Sequence, residues 1–211
     1  MEPKRRRTHR LFAMAAAGLI AAPLSMLAVA SPAAADTWPF NSNFRPDTGN
    51  HGYCYSSVYP PSSAVRAQMY NAMVYMTDST AANRSYASNC DLSGAGQTDV
   101  VWREGGMSDT GNIGEASCTV FWANTSPRRC DRFLLRVNGS LVRSHYSSSA
   151  NRNRQYRKTA CHELGHSLGL NHYPSPYTAS CQRSGWTGTV TSSWTRTWTS
   201  HHRSHINSWF G

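Results

Sequence analysis

The chain has 211 residues, with 21 Lys and Arg against 11 Asp and Glu, nine His and six Cys. That length supports one domain with its own core and is short for two large ones. At 39% hydrophobic and 15% charged, the composition excludes collagen-like, coiled-coil and disordered chains, and the net charge of +10 argues for a polyanion partner only if the charges stay on the folded part.

They do not all stay there. Lys4, Arg5, Arg6, Arg7 and Arg10 precede an apolar run from Leu11 to Ala30, which is followed by small residues up to Ala35. This is the pattern of a secretory signal peptide, read here as residues 1–35. An uncleaved anchor is the competing reading; Pro23 within the run and the Ala-Ala-Ala-Asp junction favour cleavage. The remaining 36–211 is expected to be one domain, secreted and extracellular, monomeric and without stable membrane association. All six cysteines lie in it, and an even number in an exported chain implies disulfides. Spacing alone leaves the connectivity open; pairing in chain order, Cys54–Cys90, Cys118–Cys130 and Cys161–Cys181, is the expectation. No Cys-x-x-Cys pair supports a zinc ribbon instead.

Along that domain, residues 36–60 read as an irregular entry with one short strand at Tyr53–Tyr55. Behind Pro60-Pro61, Ala64, Val65, Met69, Ala72, Met73 and Met76 recur at spacings of three and four, which predicts a helix capped by Ser62 or Ser63 and ending near Asp78. Its methionine stripe reads as core packing. Turns are expected from Ser79 to Gly96, then strands at Thr98–Arg103, Cys118–Trp122 and Phe133–Val137. Ser144 to Asn153 is polar and reads as a loop. Near the end, Ser200 is placed to cap a helix running through Ile206 to Trp209.

The stretch that carries chemistry is Cys161-His162-Glu163-Leu164-Gly165-His166-Ser167-Leu168-Gly169-Leu170-Asn171-His172. On a helix, His162 and His166 lie four residues apart and project from one face, so both imidazoles can reach one ion. Glu163 points to the adjoining side, where it can act on a metal-bound water. Gly169 can take the left-handed conformation that ends a helix and turns the chain, which would carry His172 back as a third ligand. Three histidines and a water make an open, catalytic type of site.

His162-Glu163-x-x-His166-x-x-Gly169-x-x-His172 resembles the extended zinc-binding consensus of the metzincin metallopeptidases. The small, exported, loop-rich character is similar to compact bacterial matrixin-like members. The resemblance implies an α+β, metzincin-like zincin fold: a small twisted mixed sheet with an N-terminal helix and an active-site helix, then an irregular C-terminal part with a terminal helix. It also implies one catalytic Zn2+ held by His162, His166 and His172, Glu163 as the acid/base, and a protein or peptide substrate. Nothing in the sequence indicates a structural Ca2+. One departure stands out. Metzincins place a methionine in a tight turn beneath the zinc histidines, and Ala179–Gly185 looks like that turn with Gln182 in the methionine's place.

Other residues receive plainer readings. Tyr173 reads as packing, His51 and His145 as surface residues. His201, His202 and His205 could form a second metal cluster but are read as the solvated face of the terminal helix. Trp186, Trp194 and Trp198 could make a substrate or glycan platform but are read as walling the lower half of the domain or covering its cleft. The basic run from Arg128 to Lys158 comes with no nucleic-acid motif and reads as a solvated face, so no nucleic-acid partner is expected. Two functions follow: a secreted zinc endopeptidase or, given the absent methionine, a secreted zinc-binding module that recognises a protein or wall polymer without turnover.

Overall fold

In the computed structural model, residues 44–47, 49–90, 98–122, 128–172, 179–189 and 191–211 are described. Residues 1–35, read above as a signal peptide, and Tyr173 lie outside them. Six strands form one mixed sheet: β1 (Phe44–Pro46), β2 (Asn50–Tyr55), β3 (Asn83–Tyr86), β4 (Val100–Glu104), β5 (Gly114–Trp122) and β6 (Arg128–Val137). The order is β1-β6-β4-β2-β3, all parallel, and β5 runs antiparallel to β6 from Trp122↔Arg129 to Gly114↔Val137. The helices are α1 (Ser63–Ser79), α2 (Gly139–His145), α3 (Ser149–Ser167) and α4 (Ser200–Phe210), with a 3-10 turn at Ser193–Arg196.

Strand alternation divides the core in two. Tyr53, Val100, Trp102, Phe133, Leu135 and Val137 share a large cluster with α1 and α3, whereas Cys54, Val101 and Leu134 form a small one against Ala87 and Cys90. From α1 come Val65, Met69, Ala72, Met73 and Met76, all fully buried, so the methionine stripe is core. From α3 come Ala160, Leu164 and, just past its end, Leu168. Each valine, leucine or methionine among them contributes about 1.5–3 kcal/mol by leaving water. The disulfides pair the cysteines in chain order. Cys54–Cys90 braces the thin face of the sheet, Cys118–Cys130 ties β5 to β6, and Cys161–Cys181 ties α3 to the C-terminal part. They fit an oxidising compartment. Among the described residues no helix is long and apolar enough to cross a membrane.

Several sequence expectations need correction. Of the segment read as a loop, Ser144–Asn153, only residues 146–148 form a link; the rest is the end of α2 and the start of α3. Its polar residues carry no apolar period, but α3 is fixed by its buried second half, and extending an existing helix backwards costs little. Asn138 caps α2, its side chain accepting from the Leu141 N–H at 3.1 Å. The stretch read as turns contains β3, a polar edge strand that pairs with β2 and shows no alternation. Strand β5 begins four residues earlier than expected, because Gly114-Glu115-Ala116-Ser117 is held by its ladder to β6 and not by β propensity. The basic run is not uniformly solvated: Lys158 is buried, and Arg136 pairs with Glu115. His51 is buried too, edge-on to Phe210 of α4.

Candidate metal centre

The helical spacing puts His162 and His166 on one face of α3, and the helix then stops in a defined way. Gly169 has φ +86°, its N–H donates to the His166 carbonyl at 3.1 Å, and the Leu170 N–H donates to the Gly165 carbonyl at 2.9 Å. This is the paired hydrogen bonding of a Schellman cap. It reverses the chain and brings His172 alongside the other two. The ligand atoms of His162, His166 and His172 lie within 4.8 Å of one another, so the cluster could hold a metal ion.

Neighbouring carbonyls set the donor atoms. Nδ1 of His162 is 2.9 Å from the Cys181 carbonyl, and Nδ1 of His166 is 2.8 Å from the Leu170 carbonyl. A carbonyl only accepts, so each Nδ1 carries the proton and each Nε2 is left with its lone pair for a metal. Burial depresses all three histidines: His166 to about 4, His162 well below the ordinary value, and His172, which is more exposed, in the same direction. Neutral imidazoles do not need to lose a proton before binding. The donor set therefore fits a metal ion.

Glu163 is 4% exposed and faces the same cleft of about 420 Å3. Burial pushes its carboxyl up to about 8, against the pull of Lys158. Lys158, one turn before His162 and also 4% exposed, is pushed down to about 8 by burial, against the pull of Glu163. For both groups the loss of water outweighs the partner's charge. The opposite wall is the first part of β5, where Gly114, Glu115 and Ala116 line the cleft. A Cβ on Gly114 would overlap the Glu163 carboxylate and the Thr159 methyl, so this glycine makes the room in which the acid sits. Asn138 secures the chain entering that wall, donating to the carbonyls of Thr110 and Asn112 at 2.9 and 3.0 Å.

Gln182 lies beneath the histidines. It is fully buried, and its amide nitrogen donates to the His162 carbonyl at 2.9 Å. The Cys161–Cys181 bridge, the Cys181 carbonyl on His162 and this amide are three ties between one turn of α3 and one short segment. From the other side, Ser180 Oγ lies 3.0 Å from Nδ1 of His202, which is buried. The expectation that His202 belongs to a solvated face is thus corrected: it points inward from α4, and Thr199, not Ser200, is the N-cap, accepting from the His202 N–H at 3.1 Å.

The four residues singled out in the motif meet in one cleft. Lys158, Gly114, Gly165 and Asn138 were missed. A basic run hides Lys158, and a glycine that accommodates a distant side chain has no local signal. His145 is exposed, as read, and stacks on Trp186 at 3.8 Å; Trp198 is buried against Tyr75.

No family model matches the chain, and no curated protein matches it. Among solved structures the chain is similar to one described as "Structure of Myroilysin", at a TM-score of 0.44 and 9% identity over 79% of this chain and 82% of that one. The fold and the site together define an α+β protein with three disulfides and a three-histidine cleft able to hold a metal ion.

Proposed function

We propose that the chain is a secreted zinc-dependent endopeptidase. Three imidazole donors with a carboxylate beside them are the ligand count and type of catalytic zinc and not of a structural site. Bound there, Zn2+ would supply Lewis acidity towards a carbonyl and a water of lowered pKa. His162, His166 and His172 would hold it. Glu163 accepts a proton from water in the cleft and returns it to the departing amine. Lys158 and a dication both favour its carboxylate form against the burial that opposes it.

The observation that carries the peptide reading is the position of β5. Among the described strands it pairs only with β6, and its first residues, Gly114 to Ala116, form the cleft wall opposite the histidines. An extended peptide can add to such an edge by main-chain hydrogen bonds, which brings its scissile carbonyl to the histidines and Glu163 without regard to its side chains. Other hydrolytic substrates lack that backbone match.

The test is hydrolysis of unfolded casein by the mature protein, its inhibition by a chelator and its recovery with Zn2+. In Glu163→Ala the zinc content should stay at the wild-type level while cleavage disappears. Cleavage that survives this change, or one bound zinc with no cleavage by wild type, overturns the peptidase reading; the second outcome leaves a zinc-binding module.

A further inference from the structure

On α4, His202 turns inward to Ser180, but its neighbours His201 and His205 turn the other way and towards each other. Their Nε2 atoms are 3.0 Å apart and their ring centroids 4.3 Å, with the planes at 72°. His201 is exposed and His205 partly so. We infer that His201 and His205 form a second metal site, a two-imidazole clamp on the protein surface that takes a divalent ion of the Cu2+, Ni2+ or Zn2+ class.

The distance carries the argument. With metal–nitrogen bonds of about 2.0–2.1 Å, two ligands at a right angle have their nitrogens about 2.9 Å apart, and two at a tetrahedral angle about 3.4 Å apart. The pair at 3.0 Å falls within that range, so the two donor atoms already stand at a chelating separation. Residues four apart on a helix are held as neighbours by the backbone, which limits the conformational freedom lost on binding. Whichever ring donates, the proton between the Nε2 atoms has to move to that ring's Nδ1 or to solvent before both lone pairs can take the metal.

The donor type selects the ion. Imidazole suits Cu2+, Ni2+ and Zn2+ and discriminates against Ca2+ and Mg2+, which take oxygen ligands. Among the described residues no third His, Cys, Asp or Glu groups with the pair, so with two protein ligands against three it should hold an ion more weakly and more exchangeably than the three-histidine cleft. Within the two-ligand class, Cu2+ should bind most tightly. The clamp shares no residue with the cleft, and the inference does not depend on the peptidase reading.

The experiment is equilibrium dialysis of the mature protein against Cu2+, and separately Zn2+, with bound metal counted per chain. His201→Ala and His205→Ala should each bind one equivalent fewer than wild type, and His145→Ala the same number as wild type. The Cu2+ electron paramagnetic resonance spectrum of the lost equivalent should show coupling to two nitrogens. Added Cu2+ should raise the melting temperature of wild type more than that of either variant, because only the native helix presents both ligands. Both histidines lie at the surface, and retention of the remaining metal shows that each variant is folded. Equal stoichiometry in wild type and both variants, or loss in His145→Ala as well, overturns the assignment.

Discussion

The amide of Gln182 occupies the space that a side chain on Gly165 would fill. A Cβ on Gly165 would overlap the Gln182 amide nitrogen and come within 3.1 Å of the Trp198 indole nitrogen. The same amide holds the carbonyl of His162. A glycine in a helix interior ordinarily weakens it by roughly 0.5–1 kcal/mol relative to Ala. Here Gly165 is what allows the C-terminal segment to reach the turn of α3 that carries both histidines. Gly165→Ala should therefore destabilise the protein by about 1–3 kcal/mol through overpacking, despite the better helix propensity. In a Gln182→Ala background the same change should cost much less. Urea denaturation of the four species of this double-mutant cycle measures the coupling, and additive effects would refute the contact.

Gly114 should be as restrictive towards Glu163. Gly114→Val fills the space of the carboxylate from the other wall without touching a histidine. Casein cleavage should fall by at least about tenfold, which is about 1.4 kcal/mol of activation free energy, while the zinc content stays unchanged. Loss of zinc along with activity would place the effect on the histidines.

The Cys161–Cys181 bridge closes a 20-residue separation and also fixes the carbonyl that orients His162. Replacing both cysteines by Ala should cost about 2–4 kcal/mol of stability. Zinc affinity, measured by competition with a chromophoric chelator, should fall as well, because the Nδ1 partner of His162 is no longer held. Removing Cys54–Cys90 should lower stability and leave zinc affinity unchanged, since that bridge lies on the other face of the sheet.

A buried group and a half-buried one, both outside the cleft, should give opposite pH slopes. Burial lowers His51 from 6.5 to about 4, so its folded form prefers the neutral ring. Its contribution is complete above about pH 6.5 and is lost as pH falls towards 4, on the order of 3 kcal/mol at most. Burial raises Asp99 from 3.8 to about 7, although its carboxylate accepts the Gly52 N–H at 2.6 Å. Its contribution is complete below about pH 4 and is lost as pH rises through 7, on the order of 2 kcal/mol after allowing for its partial exposure. Compared with wild type, His51→Gln should lose less stability between pH 6.5 and 4, and Asp99→Asn should lose less between pH 4 and 7. Urea midpoints across that range test both, and parallel pH profiles for wild type and variants would contradict them.

Where chemistry is local, residue spacing alone carried much of the outcome. Helical spacing gave the shared face of His162 and His166. Gly169 gave the stop that returns His172, because a positive φ is cheap only for glycine. The methionine stripe gave α1, and the even set of cysteines gave the bridges, although their chain-order pairing was an expectation until the fold brought the sulfurs together.

The remainder came from packing between distant segments. That Lys158 leaves the basic run for the cleft, that Gly114 and Gly165 exist to make room for Glu163 and Gln182, and that His202 turns inward while His201 and His205 converge outward all depend on residues far apart in the chain. Propensity and period describe a residue's neighbours along the backbone. Burial and steric fit depend on what packs against it from elsewhere, and no local pattern carries that information.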